Sequence, residues 1–195
     1  MKATAIRSTF LLALALTLAG CAGGGGNSAN AGGGAASNAG GGASTTTSSY
    51  PGTEDGAKAL LAEFVKPGAD PAALSKALRP TKADYDAVFM PDLAAKADAA
   101  YGPAWDGGKM VVAPKGGQTQ VLISSATSDE LKGWTGAAAQ FPSGWRDVST
   151  QLKPGVRFYS FKFVEPGQSL GMAYDGLAYI NGNWRIFPKP WRVMS

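Results

Sequence analysis

Residues 22–49 contain only Ala, Gly, Asn, Ser and Thr, and ten of the 28 are Gly. Such a segment has no side chain large enough to build a core. Whatever folds must therefore lie after it. Residues 50–195 hold every Trp, Tyr and Pro of the chain. At 146 residues this part is the size of one ordinary domain. A domain of that size buries roughly 68–70% of its unfolded surface, enough for a core without disulfides or metals. The segment at 22–49 reads as a flexible linker, with a coil dimension of about 5–6 Å times the square root of its length, roughly 30 Å. Stretched out, it spans on the order of 90–100 Å.

The first twenty residues read as an address. Lys2 and Arg7 form a positive start, and Phe10 to Leu18 is almost wholly apolar. So short an apolar run cannot cross a hydrocarbon core of about 30 Å as a helix, so residues 1–20 read as a signal peptide. Leu18-Ala19-Gly20-Cys21 then resembles the lipobox of bacterial lipoproteins at all four positions. The resemblance implies cleavage between Gly20 and Cys21, with diacylglyceryl and usually an N-acyl chain such as palmitate on Cys21. Stable anchoring needs two or more chains, since each buried methylene contributes about 0.8 kcal/mol. The alternative is an ordinary cleavage site with a chance Cys. Ala22, rather than Asp, follows Cys21. In a host with two membranes the resemblance then implies delivery to the outer membrane, in the cell envelope facing the periplasm or the outside.

Several function classes are excluded by residue type. The chain has one Cys and no His. Cys/His zinc sites, Cys–His nucleophiles and Ser–His–Asp triads cannot be assembled from it. Neither the glycine-rich tract at 22–26 nor the pair Gly116-Gly117 is followed by the Lys-Ser/Thr ending of a phosphate loop. No calcium-loop spacing of carboxylates is present. Nothing in the sequence calls for a cofactor or a metal. Without Lys2 and Arg7, 16 basic residues face 14 acidic ones. With no dense basic stripe, nucleic acid is not an expected partner.

Within 50–195, helical signals come first. Thr53 before Glu54 and Asp55, Asp70 before Pro71, and Thr81 with Asp84 each predict a helix start. Pro67-Gly68 and Pro80 predict stops. A fourth helix is predicted from Pro91 or Asp92 to Tyr101, closed by Gly102-Pro103. From about residue 109 strand patterns take over. Met110–Val112 and Gln120–Ile123 read as two strands joined across Pro114–Gly117. Asp129–Lys132 reads as a helical turn. Val156–Val164 and Leu170–Ile180 read as strands. Asn181-Gly182 between apolar runs predicts a tight hairpin into Trp184–Phe187, because both positions tolerate positive φ.

The expected class is therefore α+β: N-terminal helices packed on one face of a mostly antiparallel curved sheet, after a disordered tether. This order, ending in Gly182-Asn183-Trp184-Arg185-Ile186, resembles the nuclear-transport-factor-2-like roll. That superfamily packs helices into the concave side of a curved sheet and often leaves a pocket. Its catalytic members often pair Asp with His, a pair this chain cannot supply. A different helix-plus-sheet topology is the competing reading.

Three groups are candidates for chemistry. Asp175 interrupts an apolar strand beside Gly176. It is either a general base in a half-buried site or part of a bulge that points it to water. The carboxyl end interleaves Trp184, Arg185, Phe187, Lys189, Trp191 and Arg192. Trp184, Trp191 and Arg192 either form a binding surface for a protein or a glycan, or the rings enter the core while the cations snorkel. Trp105, Trp134 and Trp145 either cover the core or line a cleft. The preferred expectation is a lipid-anchored, non-catalytic binding or accessory subunit for another envelope protein or a small ligand. The alternatives are an enzyme centred on a carboxylate and a module that binds cell-wall glycan.

Overall fold

The computed structural model describes residues 47–194. The expected signal peptide, Gly20, Cys21 and nearly all of the expected linker lie outside the described residues. Each predicted helix start is present. Thr53 accepts the Gly56 N–H at the head of α1 (Glu54–Ala62). Asp70 accepts from Ala72 and Ala73 N–H at α2 (Pro71–Ala77), whose first residue is the proline. Thr81 and Asp84 cap α3 (Lys82–Val88) reciprocally. These side chains satisfy backbone donors that the first helical turn leaves unpaired.

Helix α4 runs from Pro91 to Asp106 and does not stop at Gly102-Pro103. A proline inside a helix costs about 3 kcal/mol. The last turn carries Trp105, which is only 6% exposed. A buried Trp removes about 150–250 Å² from water, worth about 4–6 kcal/mol. Burial of that ring outweighs the proline, so the helix continues to it.

Four strands follow: β1 (Gln120–Thr127), β2 (Arg157–Val164), β3 (Gly171–Ile180) and β4 (Asn183–Ile186). They form one antiparallel sheet in the order β1-β2-β3-β4. Between β1 and β2 the chain forms α5 (Ser128–Gly133) and α6 (Gly144–Val148). Asn181 and Gly182 both have positive φ, +50° and +76°, as the two-residue hairpin requires.

Met110–Val112 is not a strand. At its end, the backbone groups of Val112 and Ala113 are met by side chains instead. Ser75 Oγ accepts the Val112 N–H at 2.8 Å. The Tyr174 hydroxyl accepts the Ala113 N–H at 3.0 Å and donates to the Ala113 carbonyl at 2.9 Å. With those bonds made, the segment has less need of a strand neighbour.

The α+β class is as expected, but helices cover both faces of the sheet rather than one. Phe158, Ala178 and Ala126 face α3, α4, α5 and α6, among Tyr85, Phe89, Leu93, Leu131 and Trp145. Tyr159, Phe161, Phe163, Leu177 and Trp184 face α1, among Leu60, Leu61 and Phe64. The physical reason lies in β2, which carries large apolar residues on both faces, Phe158 and Val164 on one and Tyr159, Phe161 and Phe163 on the other, and so needs cover on both. Among the described residues, no helix is long and apolar enough to cross a membrane.

Candidate binding cleft

The site begins with a bulge. Tyr159 pairs with Leu177 and Phe161 pairs with Tyr174. Asp175 and Gly176 therefore stand together opposite Ser160. Gly176 has φ +81°, a conformation that other residues adopt only with strain. The bulge re-aims Asp175. Its Oδ1 accepts the Trp145 indole N–H at 2.8 Å. The expected bulge is present, but Asp175 does not simply face water. It is half-buried and lines a cleft. Burial pushes its carboxyl above the usual range, opposed by the Trp145 hydrogen bond and by the nearby Lys189 charge.

The cleft exists because β4 ends early. Phe187 N–H donates to the Gly176 carbonyl at 2.9 Å. Pro188 then offers no N–H, and Lys189 takes a left-handed conformation, φ +43° and ψ +57°. The chain turns away, held by the Tyr101 hydroxyl, which donates to the Lys189 carbonyl at 2.9 Å. On that side of β3, strand pairing covers only Leu177–Ile180. Among the described residues, no strand lies beside Met172–Asp175 there.

The resulting cleft has a volume of about 430 Å³. Met172, Ala173, Tyr174 and Asp175 form one wall, and Lys109–Val112 another. Tyr101 and Trp105 of α4, Ile186 at the end of β4, and Pro188, Lys189 and Arg192 beyond it complete the cleft. The lining is mainly apolar, with Asp175, Lys109, Lys189 and Arg192 as its ionic groups. None of these four forms an ion pair with another described residue. The cleft thus has three cations against one carboxylate. Burial raises the Tyr101 hydroxyl's pKa, with Arg192 opposing and Asp175 adding. The indole N–H of buried Trp105 has no hydrogen-bond partner among the described residues.

The other residues singled out from sequence divide differently. Arg192 is exposed at the cleft rim. Trp191 is half-buried, its ring edge-on to Trp145 with centroids 6.0 Å apart. Trp184 is fully buried, its indole N–H donating to the Tyr50 carbonyl at 3.1 Å. It packs between Tyr159 and Tyr179, so it presents no binding surface. Trp145 is also core, and Trp105 is core and cleft wall together. No aromatic residue in the described part is exposed, whereas stacking on a sugar asks for open ring faces.

Lys109 and Tyr101 escaped the sequence reading. Tyr101 reads from sequence only as the end of a helix, and Lys109 only as the place where strand patterns begin. Only the run of α4 past Pro103 brings the two to one cleft.

Compared with protein-family models, curated proteins and solved structures, the chain matches none. The expected likeness to the roll superfamily therefore stays an expectation from the sequence.

Proposed function

We propose that this chain is a lipid-anchored protein of the bacterial cell envelope whose domain is a non-catalytic binding subunit, gripping its partner at the cleft beside β3. The anchor rests on Leu18–Cys21. The binding role rests on one observation: three cations without ion-pair partners among the described residues surround an apolar cleft. Apolar walls with a few polar groups are the usual form of a binding site. Cations left unpaired there favour an anionic partner. The linker gives the domain reach from the bilayer.

Native mass spectrometry of the protein, extracted gently from its own envelope, tests the reading. A co-purifying protein or small molecule that is lost from a Lys189→Glu/Arg192→Glu variant supports it. Extraction of the bare chain from both, or a companion that the variant retains, overturns it.

Asp175 favours a second reading, an enzyme in which this carboxylate serves as general base. A raised carboxyl in a cleft fits such a role. Its Oδ1 is already committed to Trp145, and among the described residues no other carboxylate lines the cleft. An Asp175→Asn variant that keeps both fold and biological activity removes the enzyme reading.

A further inference from the structure

The most informative feature of the cleft is that four consecutive residues of β3, Met172 to Asp175, all line it. Side chains along a strand alternate between the two faces of the sheet. A cleft lying on one face meets every second residue. A cleft that meets four in a row lies along the strand's edge. This edge faces the lane that the chain leaves empty after Phe187, because Pro188 cannot donate and Lys189 turns the chain out. Among the described residues, this side of Met172–Asp175 has no strand partner and no backbone hydrogen bond from the neighbouring loops. The backbone groups of an open edge are a template for another strand.

We infer that the cleft takes an extended acidic segment of a partner protein, added as a short strand along Met172–Asp175 in the lane that β4 vacates. The inference rests on the binding role proposed above and names the partner's chemistry. Four residues of edge correspond to about 13 Å of strand, so the added segment is short. Main-chain bonds to the edge supply affinity, and side chains supply specificity. Met172, Met110, Val112 and Ile186 offer apolar surface to alternate side chains. Lys109, Lys189 and Arg192 outnumber Asp175 three to one, which selects acidic side chains on the added strand. Asp175 sits at the bulge with one oxygen held by Trp145, which marks the inner end of the edge. The competing explanation is that the lysines only guard an open edge against aggregation, a common use of edge Lys.

The test uses the mature, lipidated full chain in detergent and three fluorescent six-residue peptides with blocked ends. One alternates Val and Glu, one alternates Val and Lys, and one is the Val–Glu peptide methylated at alternate backbone nitrogens. Binding is read by anisotropy, and amide hydrogen exchange is read over residues 171–176. The expected result is binding of the Val–Glu peptide, at least tenfold weaker binding of the Val–Lys peptide, and loss of binding on N-methylation. Slowed exchange within 171–176 accompanies binding. If the methylated peptide binds as well as its parent, strand addition is overturned. If no peptide binds, the cations only guard the edge. Should envelope extraction still yield a companion that the charge-reversed variant loses, the binding role stands and only the strand-addition inference falls. Should it yield none, both fall.

Discussion

The Trp145 indole N–H donates to Asp175 Oδ1 at 2.8 Å, tying α6 to the bulge of β3. This single bond orients the one carboxylate of the cleft. Burial dominates the Asp175 titration and raises its pKa, so the native state holds the proton more tightly than the unfolded chain does. Stability from this group is therefore greatest below the unfolded pKa of about 3.9 and falls as pH rises through the folded pKa. Asp175→Asn removes the ionisation. Thermal melts of the two proteins at pH 3 and pH 7 should show the variant gaining on the parent at pH 7. A gap that is equal at both pH values, or that moves the other way, would contradict the burial argument.

Gly176 and Gly182 have nearly the same φ, +81° and +76°, but different surroundings. A Cβ on Gly176 would strike the Phe187 carbonyl, while a Cβ on Gly182 would meet open space. Gly182→Ala should cost only the left-handed strain, about 1–2 kcal/mol. Gly176→Ala carries that strain and must also displace the bond from Phe187, about 1–3 kcal/mol more. Urea unfolding of the two variants should rank Gly176→Ala as the more damaging. Equal losses would mean that the Phe187 backbone gives way freely.

Helix starts and the hairpin were readable because their causes are local. Thr53, Asp70 and Thr81 bond backbone groups two or three residues away. Asn181-Gly182 needs only its own φ values. The cleft was not readable, because its causes are distant. Tyr174 bonds Ala113 across 61 residues, and Tyr101 bonds Lys189 across 88. No periodicity records such contacts. The stop predicted at Gly102-Pro103 failed for a related reason. The burial of Trp105 against residues far along the chain decided where α4 ends. Asp175 was visible as a charge out of pattern, but its partner Trp145 was not.

Tyr101 and Lys189 separate strain from charge at the cleft rim. Lys189 holds a left-handed conformation between two prolines, and the Tyr101 hydroxyl bonds its carbonyl. Tyr101→Phe should cost about 0.5–1.5 kcal/mol, the net worth of one hydrogen bond. Lys189→Gly relieves the conformation and should leave the melting temperature unchanged or higher, while removing one cation from the cleft. A Lys189→Gly protein that melts clearly lower than the parent would show that the lysine stem packs usefully despite its conformation.

Asp84 is the counterpart of Asp175, with the opposite sign of pH dependence. It is 1% exposed and holds four bonds. Thr81 gives its N–H and its hydroxyl, each at 2.8 Å, Asn181 gives its amide at 2.8 Å, and Arg185 Nε closes the site at 2.8 Å. Burial alone would raise its pKa, but the Thr81 and Asn181 bonds and the Arg185 charge together bring it below the ordinary value. A lowered folded pKa contributes stability that is present above the unfolded value of about 3.9 and is lost as pH falls through the folded one. The pair joins α3 to β4, so its loss should be felt across the domain. Asp84→Ala removes one half of the reciprocal cap of α3 and leaves a largely buried guanidinium unpaired, a cost of about 3–5 kcal/mol at neutral pH. Asp84→Asn keeps the shape and cannot ionise. Urea unfolding between pH 7 and pH 3 should show the parent's advantage over Asp84→Asn shrinking as the solution is acidified, whereas for Asp175→Asn it is the variant's advantage that shrinks. If both differences move the same way with pH, one of the two carboxylates is ionised differently from its structural surroundings, and a carboxyl-carbon titration would identify which.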